Sequence, residues 1–391
     1  MRIYLPAVAL LAALLGSSTN ASHSPTTQVD IRPFVADEIN PKVHLLSTPD
    51  DFYAFGIGNV LLIEQGDGFV VIDSGIDAAN GRAVVAYARS LSPKPIKAVA
   101  ITHWHNDHPQ GVSAIRAAYP RVRIISTRPT EAGMLGPEAY DIGYEPSAQA
   151  DAATVTRVGE VKKQYQKLLD DPSTPADRKE RIRVALGQFD DFVTDFRGSY
   201  IVPPTETFER QLAVDDPDIP VRFMFLGRAN TAGDLIAWLP KQKIVESGDI
   251  VVSPTPFGFG SYPADWISTL RKLKDLGFKI LVPGHGHPQS GTSYLDKLIA
   301  AITDIRSQVG PLAKQGMSLE EVQKKVDFTN TAALFGSAPR DKAAFKSLFS
   351  DPMIENAYKE AKGIPIVQGE GGPEPRFTEP APKSRAVHHN S

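Results

Sequence analysis

Three histidines and an aspartate fall within six residues of this chain, and this cluster limits the possible folds more than any other feature. The segment follows a predicted strand over residues 97–102 and reads His103-Trp104-His105-Asn106-Asp107-His108. Four such side chains cannot all enter an apolar core without a shared polar partner. Imidazole and carboxylate groups suit zinc and its first-row neighbours, so a metal ion is the simplest common partner. The alternative is a set of surface histidines with ordinary hydrogen bonds.

The composition restricts both the ligands and the partners of such a site. The 391 residues include no cysteine, so a metal can be held only by His, Asp, Glu or Asn. With 42% hydrophobic residues, the chain can bury a large core. A net charge of -3 gives no field that would gather nucleic acid or an anionic membrane. We therefore expect a small-molecule substrate, and the composition predicts no oligomeric state.

The N-terminus has the pattern of a secretory signal peptide over residues 1–21. Arg2 precedes an apolar run from Leu5 to Leu15, and small polar residues then lead to a cleavage position after Ala21. The run is shorter than the ~20 residues that a membrane-spanning helix needs. Export without cysteine predicts a periplasmic or secreted protein that keeps no membrane span after cleavage. A retained, uncleaved anchor is the alternative.

From residue 43 onward, short β-rich segments alternate with amphipathic helices, which predicts an α/β fold. Segments 59–64 and 68–73 predict a β-hairpin. Between about 130 and 202 two long polar helices, near 148–169 and 175–196, predict a helical hairpin inserted between strand regions. This hairpin either presents a solvated face or caps a substrate cleft. Helices near 293–309, 318–326 and 342–362 predict a C-terminal helical extension over residues 293–362, followed by a mobile tail over 363–391.

Segment 102–111, THWHNDHPQG, resembles the H-x-H-x-D-H signature of the metallo-β-lactamase superfamily. Four further segments agree with that family in the same order: 71–75 (VIDSG), 227–234 (GRANTAGD), 247–249 (SGD) and 283–286 (PGHG). The resemblance implies a four-layer αβ/βα sandwich over residues 43–292, with metals at one edge between the two sheets. These motifs do not select a substrate.

The resemblance also implies two metal positions with separate ligands. The first takes His103 and His105, and the second takes Asp107, His108 and His285. The implied cofactor is one or two zinc ions, with manganese or iron as alternatives. A metal lowers the pKa of bound water towards ~7, so hydroxide becomes available near neutral pH. Asp107 would orient that water as well as bind metal.

Three further positions complete the implied site. Asp249 matches the carboxylate that bridges the two metals, and Asp73 matches an aspartate that orients a ligand from behind. Asn230 stands where the family has a histidine ligand of the first metal. Because an amide oxygen is a poor zinc ligand, Asn230 is a weak or absent ligand. The protein is then dinuclear with a weak first site, mononuclear, or a relative that binds without hydrolysis.

A glycine-rich aromatic loop follows Asp249 and contains the candidate substrate-wall residues Phe257, Phe259 and Tyr262. Packing of this loop on its own scaffold is an equal alternative. We expect an exported metal-dependent hydrolase that acts on a small ester, thioester, lactone or lactam. The alternatives are a phosphoric or sulfuric ester hydrolase, and a metal-retaining binding protein that lost hydrolysis because of Asn230.

Overall fold

The central strands of the first sheet are apolar on both faces, because they lie between two packed layers. In the computed structural model, which describes residues 29–136 and 143–366, strand Val60–Glu64 illustrates this arrangement. Val60 and Leu62 pack among helices, whereas Leu61 and Ile63 face the second sheet. A strand of this kind needs a continuous apolar run instead of an alternating one.

Two mixed sheets contain the thirteen strands found in the described part of the chain. In spatial order, the seven-stranded sheet contains β1 (Val35–Asn40), β2 (Val43–Ser47), β3 (Val60–Glu64), β4 (Phe69–Ile72), β5 (Ile96–Ala100), β6 (Arg123–Thr127) and β7 (Glu206–Phe208). The six-stranded sheet contains β13 (Gln289–Ser290), β12 (Ile280–Val282), β11 (Ile244–Glu246), β10 (Leu235–Leu239), β9 (Val221–Phe225) and β8 (Gln211–Val214). The predicted β-hairpin is confirmed, since β3 and β4 pair antiparallel.

Helices cover the outer face of each sheet. They are α1 (Ala78–Leu91), α2 (Val112–Ala118), α3 (Arg128–Met134), α4 (Ala148–Asp170), α5 (Ala176–Asp195), α6 (Pro263–Asp275), α7 (Ser293–Lys314), α8 (Leu319–Lys325), α9 (Thr329–Ala332), α10 (Pro339–Phe345) and α11 (Asp351–Lys362). One core lies between the first sheet and its helices, a second between the two sheets, and a third between the second sheet and the later helices. The predicted four-layer αβ/βα sandwich, with its helical hairpin α4–α5 and its C-terminal helices, is confirmed.

Several short elements escaped the sequence prediction. Strand β1 is a half-exposed edge strand without apolar alternation, and β7 and β8 are only three and four residues long. Helix α3 begins directly after β6, where the Thr127 side chain accepts a hydrogen bond from the backbone N–H of Thr130. Elements this short carry too little periodicity to be recognised.

The segment predicted as a helix over 342–362 is helical throughout, but a π-helical turn before Pro352 interrupts its α-helical geometry. Helix α10 gives way to a π-helical turn, Lys346–Ser350, before α11 begins. Pro352 has no N–H to donate to the carbonyl of Leu348 four residues earlier. That carbonyl instead accepts a hydrogen bond of 2.8 Å from Gly258 N. This hydrogen bond therefore connects the aromatic loop after Asp249 to the C-terminal helices.

The predicted domain boundaries at residues 43–292, 130–202 and 293–362 remain predictions. The predicted signal peptide (1–21) and most of the predicted tail, from 367 to 391, lie outside the described residues. None of the helices in the described part of the chain combines the length and the apolar character needed to cross a bilayer.

Candidate metal centre

Six side chains with metal-binding atoms meet at one edge of the two sheets. Their segments follow strand ends: residues 103–108 follow β5, Asp249 follows β11, and His285 follows β12. They form two groups, His103 with His105 and Asp249, and Asp107 with His108 and His285. In each group the potential ligand atoms lie within 4.8 Å of one another. The tertiary structure thus brings together every predicted ligand.

The first ligand group contains two imidazoles that face each other. His103 Nε2 lies 2.9 Å from His105 Nδ1 and 3.6 Å from Asp249 Oδ2. His103 Nδ1 lies 3.0 Å from the hydroxyl of Thr102, which donates its own hydrogen to Asp73. Because its own hydrogen is already donated, the hydroxyl can only accept a hydrogen bond from His103, so Nδ1 of His103 carries the ring proton. The Nε2 atom of His103 then keeps a free lone pair.

The second ligand group is centred on Asp107. Its Oδ2 atom lies 2.9 Å from His285 Nε2 and 3.7 Å from His108 Nε2. Asp249 also reaches this group, since its Oδ1 lies 3.4 Å from His108 Nε2 and 3.6 Å from His285 Nε2. The two oxygens of Asp249 thus face different groups, as expected of a bridging carboxylate.

The donor atoms fit a metal better than they fit a network of hydrogen bonds. Within the described part of the chain, His108 Nε2 and Asp249 Oδ1 are buried and have no hydrogen-bond partner. Buried polar atoms without partners are costly unless another species satisfies them. Nitrogen and carboxylate oxygen atoms, gathered without thiolate, form a donor set suited to zinc, manganese or iron.

Asp73 supports both groups from behind. Its Oδ2 accepts a hydrogen bond of 2.7 Å from His108 Nδ1, which leaves His108 Nε2 free to bind a metal. The same carboxylate accepts from the N–H and the hydroxyl of Thr102 at 2.8 and 2.7 Å. Asp73 has a φ of 59°, a left-handed conformation that Asp and Asn adopt more readily than most residues. This contact is the one expected of a residue that orients a ligand.

Two glycines let backbone approach the ligands. A Cβ atom at Gly58 would lie 2.6 Å from the ring of His108, and one at Gly284 would overlap Asp249 Oδ1. Both positions therefore exclude a side chain next to the ligand groups. The motif containing Gly284 indicated this position, whereas no sequence signal identified Gly58.

Asn230 lies beside the first ligand group, as its place in the motif predicts. The residue is fully buried, and its Nδ2 is 3.5 Å from His105 Nδ1. Its Oδ1 has no hydrogen-bond partner among the residues that the structure describes. Asp234 fixes this loop by accepting hydrogen bonds from the backbone of Ala229 and Thr231. Burial raises the pKa of Asp234 to about 7.

The two groups differ in their electrostatic surroundings. Burial and the neighbouring imidazoles lower the pKa of His103 well below its usual value. Burial also acts to lower the pKa of His108 and of His285, but the nearby carboxylates outweigh it and raise both. Burial acts to raise the pKa of Asp107, and the adjacent histidines outweigh it and lower that pKa. The histidines of the two groups therefore differ in the direction of their pKa shifts, since burial also lowers the pKa of His105.

The candidate substrate-wall residues divide into two sets. Phe257 presents its edge to His105, with ring centroids 6.2 Å apart, and packs against Phe259 at 5.0 Å. Both rings rest on Ala344 and Leu348 of the C-terminal helices. Tyr262 is instead buried beneath the guanidinium of Arg228, which lies 4.2 Å from the ring centroid. Phe257 thus has a ring contact with a ligand, and Tyr262 is the most enclosed of the three.

Two further ionisable residues, His287 and Glu246, lie near the ligand groups in the sequence. His287 is largely exposed and pairs with Asp50 at 2.9 Å, so it lies apart from both ligand groups. Glu246 is buried behind the centre and accepts a hydrogen bond of 2.7 Å from Gly248 N, next to Asp249. Burial raises the pKa of Glu246 well above its usual value. The sequence analysis missed Glu246 because it lies inside an apolar strand segment without a motif of its own.

Comparisons with known proteins identify the family and the fold. The model of the metallo-β-lactamase superfamily matches residues 53–285. A linear primary-alkylsulfatase from Pseudomonas sp. is 24% identical over 291 residues, covering 68% of this chain and 49% of the relative. The structure of the stereoselective inverting sec-alkylsulfatase Pisa1 from Pseudomonas sp. matches with a TM-score of 0.58 and 18% identity, covering 83% of this chain and 50% of that one.

A metallo-β-lactamase from Pontibacter korlensis matches with a TM-score of 0.48 and 16% identity, over 69% of this chain and 99% of that one. The present chain spans about half the length of the two alkylsulfatases. The family match covers more than half of the chain and includes all six ligand positions together with Asn230, with His285 as its last residue. The chain belongs to the metallo-β-lactamase superfamily, and its intact His/Asp groups have the composition of a metal-dependent hydrolase of that fold.

Proposed function

We propose that this protein is a metal-dependent hydrolase of sulfuric esters, which converts R–O–SO3⁻ and water into R–OH and HSO4⁻. The observation that carries the proposal is the pair of His/Asp groups sharing Asp249, in a chain related to a linear primary-alkylsulfatase. This relationship favours the sulfuric ester alternative over the carboxylic ester, thioester, lactone or lactam that the sequence alone ranks first. Hydrolysis of those carbonyl substrates is the second candidate function.

The residues proposed to hold metal are those of the two groups. His103, His105 and Asp249 would form the first position, and Asp107, His108 and His285 the second, with Asp249 shared between them. Zinc is the proposed metal, with manganese and iron as the alternatives to test. A divalent ion in these groups supplies a Lewis acid for the ester oxygens and makes water acidic enough to attack near neutral pH.

The side chains of the protein perform the remaining tasks. Asp107, buried beside His285, is proposed to orient the attacking water. Asp73 keeps the Nε2 atom of His108 turned toward the centre. Phe257 is proposed to exclude water on the side of His105, where its ring edge approaches the imidazole. Asn230 can offer the first position only a neutral amide.

A substrate panel with metal-reconstituted protein tests the proposal. Zinc, manganese and iron are each offered to metal-free protein, and bound metal per chain is measured before the assays. Release of sulfate from octyl sulfate is then compared with hydrolysis of octyl phosphate, an octanoate ester, its thioester, a lactone and a β-lactam. We expect sulfate release to exceed turnover of every other substrate. Preference for a carbonyl substrate would replace the proposal with the second candidate.

Matched variants separate the protein's own activity from contaminants and from binding alone. His285→Ala removes a proposed ligand, whereas His44→Gln changes a buried histidine on β2 whose ring contacts Tyr87. Sulfate release should disappear in the first variant and persist in the second. Stoichiometric binding of octyl sulfate without turnover would indicate that the protein has kept binding and lost hydrolysis.

We also propose that the protein is exported, on the basis of the apolar run from Leu5 to Leu15 and the small residues up to Ala21. N-terminal sequencing of the protein from a periplasmic fraction tests this proposal. A mature chain that begins at residue 22 is the expected result. A chain that retains residue 1 would indicate the uncleaved anchor.

A further inference from the structure

A cavity of about 400 Å³ lies beside the second ligand group, and His285 forms part of its wall. Its other lining side chains are mixed, and the apolar ones include Phe52, Phe55, Ile57, Pro254, Leu334 and Phe335. The volume falls within the range of small-molecule pockets. The cavity therefore joins a partly apolar space directly to a residue of the candidate metal centre.

Three separate parts of the chain supply these apolar side chains. The loop before β3 supplies Phe52 and Phe55, the loop after Asp249 supplies Pro254, and the segment between α9 and α10 supplies Leu334 and Phe335. The ring of Phe335 packs against Tyr294 at 5.7 Å and against Phe345 at 5.1 Å. The C-terminal helices thus form a wall of the cavity and are not a separate appendage.

The helical hairpin holds the opposite wall in place. On α5, the ring of Phe192 lies 4.2 Å from that of Phe55. The Gln188 side chain accepts from Tyr53 N at 2.8 Å and donates to the carbonyl of Asp51 at 3.0 Å. The hairpin therefore fixes the loop that carries the aromatic residues, although the cavity wall itself comes from that loop.

The polar groups of the cavity wall already have partners or face water. His287 pairs with Asp50, and the Tyr294 hydroxyl lies 2.6 Å from the carbonyl of Val252, to which it donates. Asp341 accepts a hydrogen bond from Ala338 N. Lys297 is exposed and belongs to the rim. The Asn59 amide likewise donates to the carbonyls of Pro283 and Gly286, and the Gln289 amide donates to that of His287. With these polar groups paired, the aromatic and aliphatic side chains favour a hydrocarbon group.

We propose that this cavity binds the hydrocarbon chain of the substrate, and that Leu334 and Phe335 set the preferred chain length. This inference rests on the proposed function, because the sulfate group would lie at the metal centre while the chain enters the cavity beside His285. Each methylene group transferred from water into the cavity should raise kcat/KM about fourfold until the space is filled. The substrate class is therefore alkyl sulfates whose hydrocarbon chain is long enough to fill the cavity.

The test is a chain-length series of hexyl, octyl, decyl and dodecyl sulfate with the metal-loaded full chain, below micelle-forming concentrations. Leu334 is 41% exposed, so Leu334→Trp can narrow the cavity without rebuilding a core. The matched control is Val184→Trp, at a 38% exposed position of α5 that does not line the cavity. Leu334→Ala is a second variant, which should widen the space.

We expect kcat/KM of the unmodified protein and of Val184→Trp to rise about fourfold per methylene up to a plateau. Leu334→Trp should remove this rise for the longer sulfates, whereas Leu334→Ala should move the plateau to a longer chain. Equal slopes in Leu334→Trp and Val184→Trp, or no dependence on chain length in the unmodified protein, would overturn the inference.

Binding of alkanesulfonates of the same lengths separates this inference from the proposed function, because their carbon–sulfur bond is not hydrolysed. If alkyl sulfates are not hydrolysed but sulfonate affinity rises with length and Leu334→Trp abolishes the rise, the cavity assignment stands and the sulfatase proposal fails. If alkyl sulfates are hydrolysed without any dependence on length, the sulfatase proposal stands and the cavity assignment fails. If neither occurs, both fail.

Discussion

The two ligand groups share one sheet edge and one carboxylate, yet they are built differently. The second group has three ionisable ligands of its own, Asp107, His108 and His285, and the buried Asp73 holds one of them directly. The first group has two histidines, the shared Asp249 and the neutral amide of Asn230 nearby. The difference suggests two metal positions of unequal affinity within one backbone framework.

The hydrogen bonds that orient the histidine ligands also differ between the two groups. In the second group, His108 donates directly to the Asp73 carboxylate. In the first, His103 reaches the same carboxylate only through the hydroxyl of Thr102. A hydrogen bond to a charged acceptor is roughly twice as strong as one between neutral groups. The second group is therefore the better oriented, and we expect catalysis to depend on it more.

Removing a ligand of the second group should have the largest effect. In Asp107→Ala or His285→Ala, kcat/KM should fall by at least about 10³-fold, because loss of a single preorganised electrostatic contact already costs up to about that much. Bound metal per chain, measured by elemental analysis, should fall in parallel. Full activity in either variant would show that the second group is not the reactive one.

Asp73→Asn should weaken the second position without removing a ligand. Asn fits the left-handed backbone at this position but lacks the charge that holds His108. We expect metal affinity at the second position to fall by about 10- to 100-fold. A chelator competition titration measures this change, and Thr102→Val, which disturbs the link to His103, is the matched variant for the first position. A larger loss in Thr102→Val would reverse the ranking of the two groups.

Phe257→Leu should have a modest effect on the side of the first group. Leucine keeps the apolar packing on Ala344 and Leu348 but removes the aromatic edge near His105. We expect KM for octyl sulfate to rise by about 2- to 10-fold, which corresponds to an aromatic contact of roughly 0.5–1.5 kcal/mol. Metal content should stay constant, and Phe259→Leu is the control. An unchanged KM would assign Phe257 to packing alone.

Asn230→His should change the activity less than the other variants do, but the direction of that change is the most informative. An added imidazole beside His103 and His105 should raise the amount of bound metal from about one ion to about two ions per chain. Activity should rise if the protein is a weakened dinuclear enzyme and fall if a mononuclear enzyme uses that space for substrate. If Asn230→His binds no additional metal at saturating zinc, position 230 does not contribute to the first position.

The ligand set was predictable because its residues form short motifs at fixed positions after strands. The cluster over 103–108 predicted the metal centre from chemistry alone, and the family resemblance added Asp249, His285 and the place of Asn230. The structure brings all of these together at one sheet edge. Gly58 and Glu246 were missed, since close approach of a backbone and a buried acceptor for Gly248 N leave no pattern in the sequence.

The cavity could not be predicted, because its walls come from segments that are distant in the sequence. Phe55 and Phe335 lie 280 positions apart in the sequence, and each is held by a different helical unit. The path of the last helices also depended on a tertiary contact: Pro352 frees the carbonyl of Leu348, and Gly258 N then bonds to it. Only the packed chain shows which loop satisfies that carbonyl.

The sequence by itself determined the sheet framework and the chemistry of the metal centre. Apolar strand runs fix which faces are buried, and histidine and aspartate at strand ends fix which atoms can bind a metal. The tertiary structure decided the unequal support of the two groups and the shape of the space beside His285. These properties depend on distances between side chains from separate segments, which packing sets and local sequence does not encode.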